Sequence, residues 1–272
     1  MAPMAFDLFH RDGRLLFGAE RASTAIDAVR AAMRAGVSLA GADISGVDLS
    51  GLDLEGGVFD GARMSDVSFR NANLEGASFV GADLMGAALD GANLEDAHFS
   101  RATIATATFR GANLESARLD EVRASGATFD GAHLEHAKLD GAVLAGATFA
   151  RANLERASLC RVRAEEANFG SANLERGELR DADLRQAVFD SANLEKADLR
   201  GSRLADARLV GANLERADLR NADLSRTTFE EANLERCDLR DALMDGTRLD
   251  SANVDRALGL VARTVASSPY RG

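Results

Sequence analysis

Tryptophan is absent from this 272-residue chain, tyrosine occurs once, and proline and cysteine occur twice each. Two cysteines provide no disulfide framework of the kind that holds small secreted scaffolds together. No apolar run approaches the ~18 residues a membrane-spanning helix needs. The N-terminal stretch MAPMAFDLFHRDGRLLFG meets Asp7, His10, Arg11 and Asp12 before any continuous apolar segment, so it does not read as a signal peptide. A cytoplasmic protein with no membrane contact is therefore expected. Basic residues are in the minority, 32 against 43 acidic, for a net charge of −11. That balance excludes a protein that binds nucleic acid directly through its phosphates. It suits a basic protein partner, or solubility alone.

What the chain does have is a register. From Leu39 to Val254 a large apolar residue occupies every fifth position, 44 in succession without an insertion, with Ala124 and Ala164 as the two exceptions. Two residues before each stands a small residue, usually alanine, as at Ala72, Ala77, Ala82, Ala87 and Ala92. A period of five is neither the 3.6 of a helix nor the 2.0 of a flat strand. The pattern reads A-(N/D)-(L/F)-x-x, and segments such as ANLER, ADLRN and ADLSR resemble the repeats of the pentapeptide-repeat family over about residues 37–256. The resemblance implies an all-β solenoid: a right-handed quadrilateral parallel β-helix of about 11 coils, 20 residues to a coil. The (L/F) and Ala positions would point inward and the other three outward.

A slower period supports four repeats per coil independently. ANLE recurs every twenty residues from Ala72 to Ala232, with only AHLE at Ala132 differing in between. Phenylalanine keeps the same beat. Phe69, Phe109, Phe129, Phe149, Phe169, Phe189 and Phe229 share one face, while Phe59, Phe79 and Phe99 lie ten residues out of phase. Stacked core rings are expected, with Leu154 and Leu174 in the same interior. At the two exceptions, Val122 and Val162 replace the usual alanine beside Ala124 and Ala164. The bulk has moved to the neighbouring inward site, which keeps core volume nearly constant.

A rod of this kind exposes backbone at its ends and needs caps. Residues 1–36 read as one: a hairpin turning at Asp12-Gly13, then a helix capped by Ser23 or Thr24 with Asp27 nearby, carrying Ile26, Val29 and Met33 on one face and stopped by Gly36. Residues 37–256 form the repeat domain. The tail, 257–272, holds Leu258, Leu260, Val261 and Val265 and reads as a capping helix or a homodimer contact.

No catalytic constellation emerges. Glutamates from Glu75 to Glu235 recur once per coil, stacking along one edge at ~4.8 Å, and Arg156, Arg176, Lys196, Arg216, Arg236 and Arg256 run beside the second half. An exposed ion-pair ladder is the expected reading, each pair worth at most ~1 kcal/mol. His133 and His136 flank Glu135, but His133 merely replaces the Asn of ANLE, so a surface substitution is favoured over a metal site. Cys160 is expected to face outward and Cys237 inward, too far apart for a disulfide. No phosphate loop or nucleophile elbow is present. The chain reads as a non-enzyme without metal or cofactor.

The surface charge is uneven. Residues 41–150 hold 7 basic and 17 acidic side chains, while residues 151–256 hold 18 and 22. The first segment spans ~26 Å and so carries about one net charge per 2.6 Å, against one per ~1.7 Å for duplex DNA. The acidic edge of Glu75, Glu95, Asp96, Glu115, Asp120, Glu135 and Asp140 is the candidate partner-binding surface. Two readings follow: a rigid rod presenting charged faces to a protein partner, or, as the family resemblance implies, a DNA mimic that occupies the DNA site of gyrase or topoisomerase IV and gives resistance or self-immunity to quinolone-like inhibitors.

Overall fold

The computed structural model describes residues 6–19 and 22–260. Parallel backbone bridges link every fifth residue to the one twenty places on, from Asp43 with Arg63 through to Asp238 with Leu258. One coil is thus twenty residues, and each of its four sides contributes one bridge to the coil above and one to the coil below. The corners are turns. The N–H of Ala72 donates to the carbonyl of Phe69 at 3.0 Å, and the same bond recurs five residues on, from Ala77 to Leu74. The residue before each alanine is left-handed: at every corner from Gly36 to Arg256 φ lies between 55° and 70°, the sign a type II turn requires at its third residue.

The remaining backbone groups explain the Asn/Asp of the repeat. The N–H groups of Leu74 and Gly76 donate to the next coil, and that of Asn73 donates to the previous one. The N–H that follows the large apolar residue has no backbone acceptor in this scheme. The Asn or Asp side chain two residues earlier takes it, as Asn113 Oδ1 takes the N–H of Glu115 at 3.1 Å. Elsewhere an aspartate of the coil below does so, as Asp140 does for Cys160 at 3.0 Å. Each buried coil can therefore satisfy its polar backbone.

The interior is apolar except at Ser202 and Thr227. Phe69, Phe109, Phe129, Phe149, Phe169, Phe189, Leu154 and Leu174 are all fully buried. From Phe109 to Phe189 the rings stack face to face with centroids 4.8–4.9 Å apart. The rings of the opposite face stack on one another as well, and they meet the first column edge-on at 6.0 Å, as Phe59 meets Phe69. Val122, Ala124, Val162 and Ala164 are buried together at the two exceptional corners. Ser202 and Thr227, at alanine positions, return their hydroxyls to the carbonyls of Leu199 and Leu204.

Strands β1 (Phe6–Phe9) and β2 (Leu15–Ala19) form an antiparallel hairpin, followed by helix α1 (Ala25–Arg34). Thr24 caps α1 by accepting the N–H of Asp27. At the other end the N–H groups of Gly36 and Val37 return to Met33 and Ala32, a Schellman stop that needs the positive φ of Gly36. His10 bridges to Ala42, and the Arg11 guanidinium reaches the carbonyl of Gly61, seating the hairpin on the first coils. Leu8, Ala28, Val29 and Ala32 join the solenoid core. At the far end Met244, Leu249, Val254 and Leu260 are only half-buried. The expected C-terminal capping helix or dimer contact lies, beyond Leu260, outside the described residues.

Candidate functional site

The glutamate edge runs along one corner, from Glu55 to Glu235, every twentieth residue. A ladder of asparagines holds it in place. Asn93 donates its amide to Asn73 at 3.1 Å and Asn113 to Asn93 at 3.1 Å, and the series resumes from Asn173 to Asn253 at 2.9–3.2 Å. His133 interrupts it, and the Asn153 amide turns instead to Glu135. The repeat pattern places these asparagines outward without assigning them a role. Their exact twenty-residue recurrence was the signal of a ladder.

The edge changes character midway. Glu75 and Glu95 accept the amides of Asn93 and Asn113 at 3.3 and 3.2 Å. The next residue along the corner is Gly56, Gly76, Asp96, Ser116 or His136, so no Lys or Arg stands beside the carboxylate. From Arg156 onward that neighbour is a cation. Arg176 lies 3.6 Å from Glu175, Lys196 2.6 Å from Glu195, Arg216 3.5 Å from Glu215 and Arg236 3.6 Å from Glu235. The Glu195 carboxyl is held below the ordinary range, chiefly by its hydrogen bond from Lys196.

Glu75, Glu95, Glu115 and Glu135 thus share one column, with Asp96 beside it. Asp120 and Asp140 do not join them. They occupy the next corner, and Arg118 and Lys138 stand on the side between. Burial pushes the Asp120 carboxyl up; Arg118, 3.8 Å away, opposes this, and Asp140 adds to it. The candidate acidic edge is therefore two strips split by a basic one.

Eight copies of the family model for pentapeptide repeats match the chain, in overlapping segments that cover residues 62–163 and 167–258. The chain belongs to the pentapeptide-repeat family. Among solved structures, this pentapeptide-repeat protein is similar to HetL of the cyanobacterium Nostoc sp. strain PCC 7120, described as involved in regulating heterocyst differentiation. The two are 26% identical over 85% of this chain and 95% of HetL, with a TM-score of 0.34. A pentapeptide-repeat protein of the Arabidopsis thaliana thylakoid lumen is 38% identical over 34% of this chain and 64% of its own, with a TM-score of 0.33. QnrB1, described as a plasmid-mediated fluoroquinolone resistance protein, is 24% identical over 79% of this chain and 92% of its own, with a TM-score of 0.30. No curated protein matches.

The other singled-out residues of this pentapeptide-repeat chain are placed as follows. His133 is exposed, with Nδ1 3.7 Å from Glu135. Among the described residues no three His, Cys, Asp or Glu side chains converge as a metal site would need. No helix among them is long and apolar enough to cross a membrane. Cys237 is interior, its thiol donating to the Leu214 carbonyl and pushed up to about 12 by burial. Cys160 departs from expectation: it stands in an outward column yet is only 6% exposed. Ser158 and Glu178 cover its sulfur, each 3.8 Å away.

Proposed function

We propose that this chain is a non-catalytic, right-handed interaction rod whose N-terminal half presents the Glu55–Glu135 edge to a basic protein surface. One observation carries the reading. The same column is neutralised residue by residue after Arg156 and carries no Lys or Arg partner before it. Stacked like charges cost stability unless they are paired or well solvated, so five successive carboxylates without a Lys or Arg suit a site that a partner's cations complete. Backbone bonds and the asparagine ladder hold the glutamates' main chain, so little ordering is needed on binding.

Affinity capture with three proteins tests this: the natural chain, a variant with Glu75, Glu95, Glu115 and Glu135 changed to Gln, and one with Glu175, Glu195, Glu215 and Glu235 changed to Gln. The expected result is a basic partner kept by the first and third and lost by the second. Equal loss in both variants would sink the assignment to the N-terminal edge.

The net charge density of the acidic half supports a second reading, mimicry of DNA toward a type II topoisomerase. Gyrase supercoiling measured with added protein separates the two. Inhibition, or relief of quinolone poisoning, that vanishes in the first Gln variant would establish the mimic. No effect at micromolar protein would exclude it.

A further inference from the structure

The side that separates the two acidic strips carries an inversion of charge. One of its columns reads His98, Arg118, Lys138, then Ser158, then Glu178, Asp198, Asp218 and Asp238. The adjoining corner column reads Ser100, Asp120, Asp140, then Cys160, then Arg180, Arg200, Arg220 and Arg240. Basic-beside-acidic thus becomes acidic-beside-basic at a single coil, and that coil holds the uncharged pair Ser158 and Cys160. Every residue of the two columns from His98 to Arg240 is exposed or half-buried except Cys160.

We propose that this side is an interface between two copies of the chain, docked antiparallel about a two-fold axis through the Ser158–Cys160 coil. Such an axis leaves each column facing itself and reverses its direction. Glu178 then faces the second copy's Lys138, Asp198 its Arg118, Arg180 its Asp140 and Arg200 its Asp120. Both series step by one coil, so all four pairs come into register when the central coils are superposed, and two-fold symmetry repeats them. Parallel docking would match opposite charges without any inversion. Antiparallel docking sets like on like unless the inversion is present, and so accounts for it.

The local chemistry agrees. In the C-terminal half the pairs are closed within the chain: Arg180 lies 2.6 Å from Glu178, Arg200 2.6 Å from Asp198 and Arg220 2.7 Å from Asp218. In the N-terminal half Arg118 is 3.8 Å from Asp120, and Asp140 accepts the Ser158 hydroxyl and the Cys160 N–H. Burial already disfavours the charge of Asp120. A guanidinium with five donors can keep its own aspartate and still reach a second. An open hollow of 1020 Å³ lies here, lined by Arg118, Asp120, Lys138, Asp140, Ser158 and Glu178, among others. The strip from His98 to Asp238 is ~34 Å long at ~4.8 Å per coil. It is narrower than standard interfaces of ~800 Å² per partner, so the association is weak and salt-sensitive, its register set by charge.

Sedimentation velocity of the full chain tests the proposal, at ionic strengths of about 0.01 M and 1 M, where screening lengths are ~30 and ~3 Å. Dimer at low salt and monomer at high salt is expected. Exchanging one row, Asp198→Arg with Arg200→Asp, keeps the net charge and the local pair but sets like charges against Arg118 and Asp120. Dimerisation should weaken at least about tenfold, or ~1.4 kcal/mol, while Tm falls because Arg180 and Asp218 each lose a partner and the N–H of residue 200 its acceptor. Adding Arg118→Asp with Asp120→Arg should restore it. A monomer at low salt and millimolar protein, or a dimer indifferent to the row exchange, overturns the proposal. Should the exchange disturb folding, Ser158→Cys in a Cys160→Ser background gives an independent reading. A short bis-maleimide should join residue 158 to its own counterpart at low salt, and a dimer that resists this cross-link also overturns it.

Discussion

Between Gly36 and Gly146 the left-handed corner is glycine at 15 of 23 positions, whereas from Arg151 to Arg256 it is glycine at 3 of 22. The interiors differ in the same sense, with seven of the ten solenoid phenylalanines before residue 150 and three after. So do the exteriors. Residues 41–150 form five ion pairs, one of them to a histidine, while residues 151–256 form twenty-one. One backbone geometry is thus reached by two routes. Glycine corners avoid left-handed strain but lose more chain entropy on folding. Non-glycine corners carry that strain, and those occupied by Arg156, Arg176, Lys196, Arg216, Arg226 and Arg236 supply partners for carboxylates. The second route gives each glutamate of the edge from Glu155 to Glu235 a Lys or Arg neighbour, so the edge without Lys or Arg belongs to the first half.

The largest effect should come from the core that both halves share. Phe149 lies inside the unbroken stack from Phe109 to Phe189, so Phe149→Ala should cost ~3–5 kcal/mol in urea unfolding. Leu154→Asp should abolish cooperative folding, because no partner can reach a charge there. Retained stability in Leu154→Asp would refute the inward register.

Corners come next. A Cβ on Gly146 would meet nothing within 4 Å, so Gly146→Ala isolates the left-handed penalty and should cost ~1 kcal/mol. Arg151→Gly, at the next corner, exchanges strain relief for chain entropy and should stay within ~0.5 kcal/mol. Equal losses at both corners would mean that the two routes do not differ as described.

Acid should separate the halves in opposite directions. Asp206 is held below the ordinary carboxylate range, first by hydrogen bonds from Arg226 at 2.6 Å. Its contribution is present above the unfolded value of ~3.9 and is lost as pH falls through the folded one. Asp206→Asn should therefore lower Tm at pH 7 and make progressively less difference below pH ~4. Asp120, raised chiefly by burial, has the opposite sign. Its penalty exists only where it is ionised, so Asp120→Asn should raise Tm at pH 7 and leave it unchanged at pH ~3. Melting curves of the four combinations decide this.

The smallest effect is expected on the glutamate edge. Glu195→Gln removes the contact with Lys196 and should cost at most ~1 kcal/mol, whereas Glu75→Gln should leave thermal unfolding unchanged.

Much of this was legible before any coordinates. The interior columns of Phe149 and Leu154 repeat at five and twenty residues, and a period is visible without knowing the shape that produces it. The Glu edge and the change at Arg156 were legible for the same reason. Cys160 was not: its column is exterior, and it is buried only because Ser158 and Glu178, from its own side and the next coil, close over it. The split between Glu135 and Asp140 was missed because their closeness in sequence conceals that they stand at successive corners, with Lys138 on the side between.

The amino-acid sequence by itself determined that this is a pentapeptide solenoid, which residues fill its interior and which columns carry charge. A strict period marks the apolar positions as one set, and the resemblance of that set to pentapeptide repeats implies the solenoid that packs them. Only the tertiary structure decided that non-glycine corners such as Arg151 are left-handed, that the asparagines bond in a ladder, and that Arg118 and Lys138 divide the acidic strips. Those outcomes depend on what the neighbouring coils bring within reach of each side chain, and that neighbour lies twenty residues away along the chain.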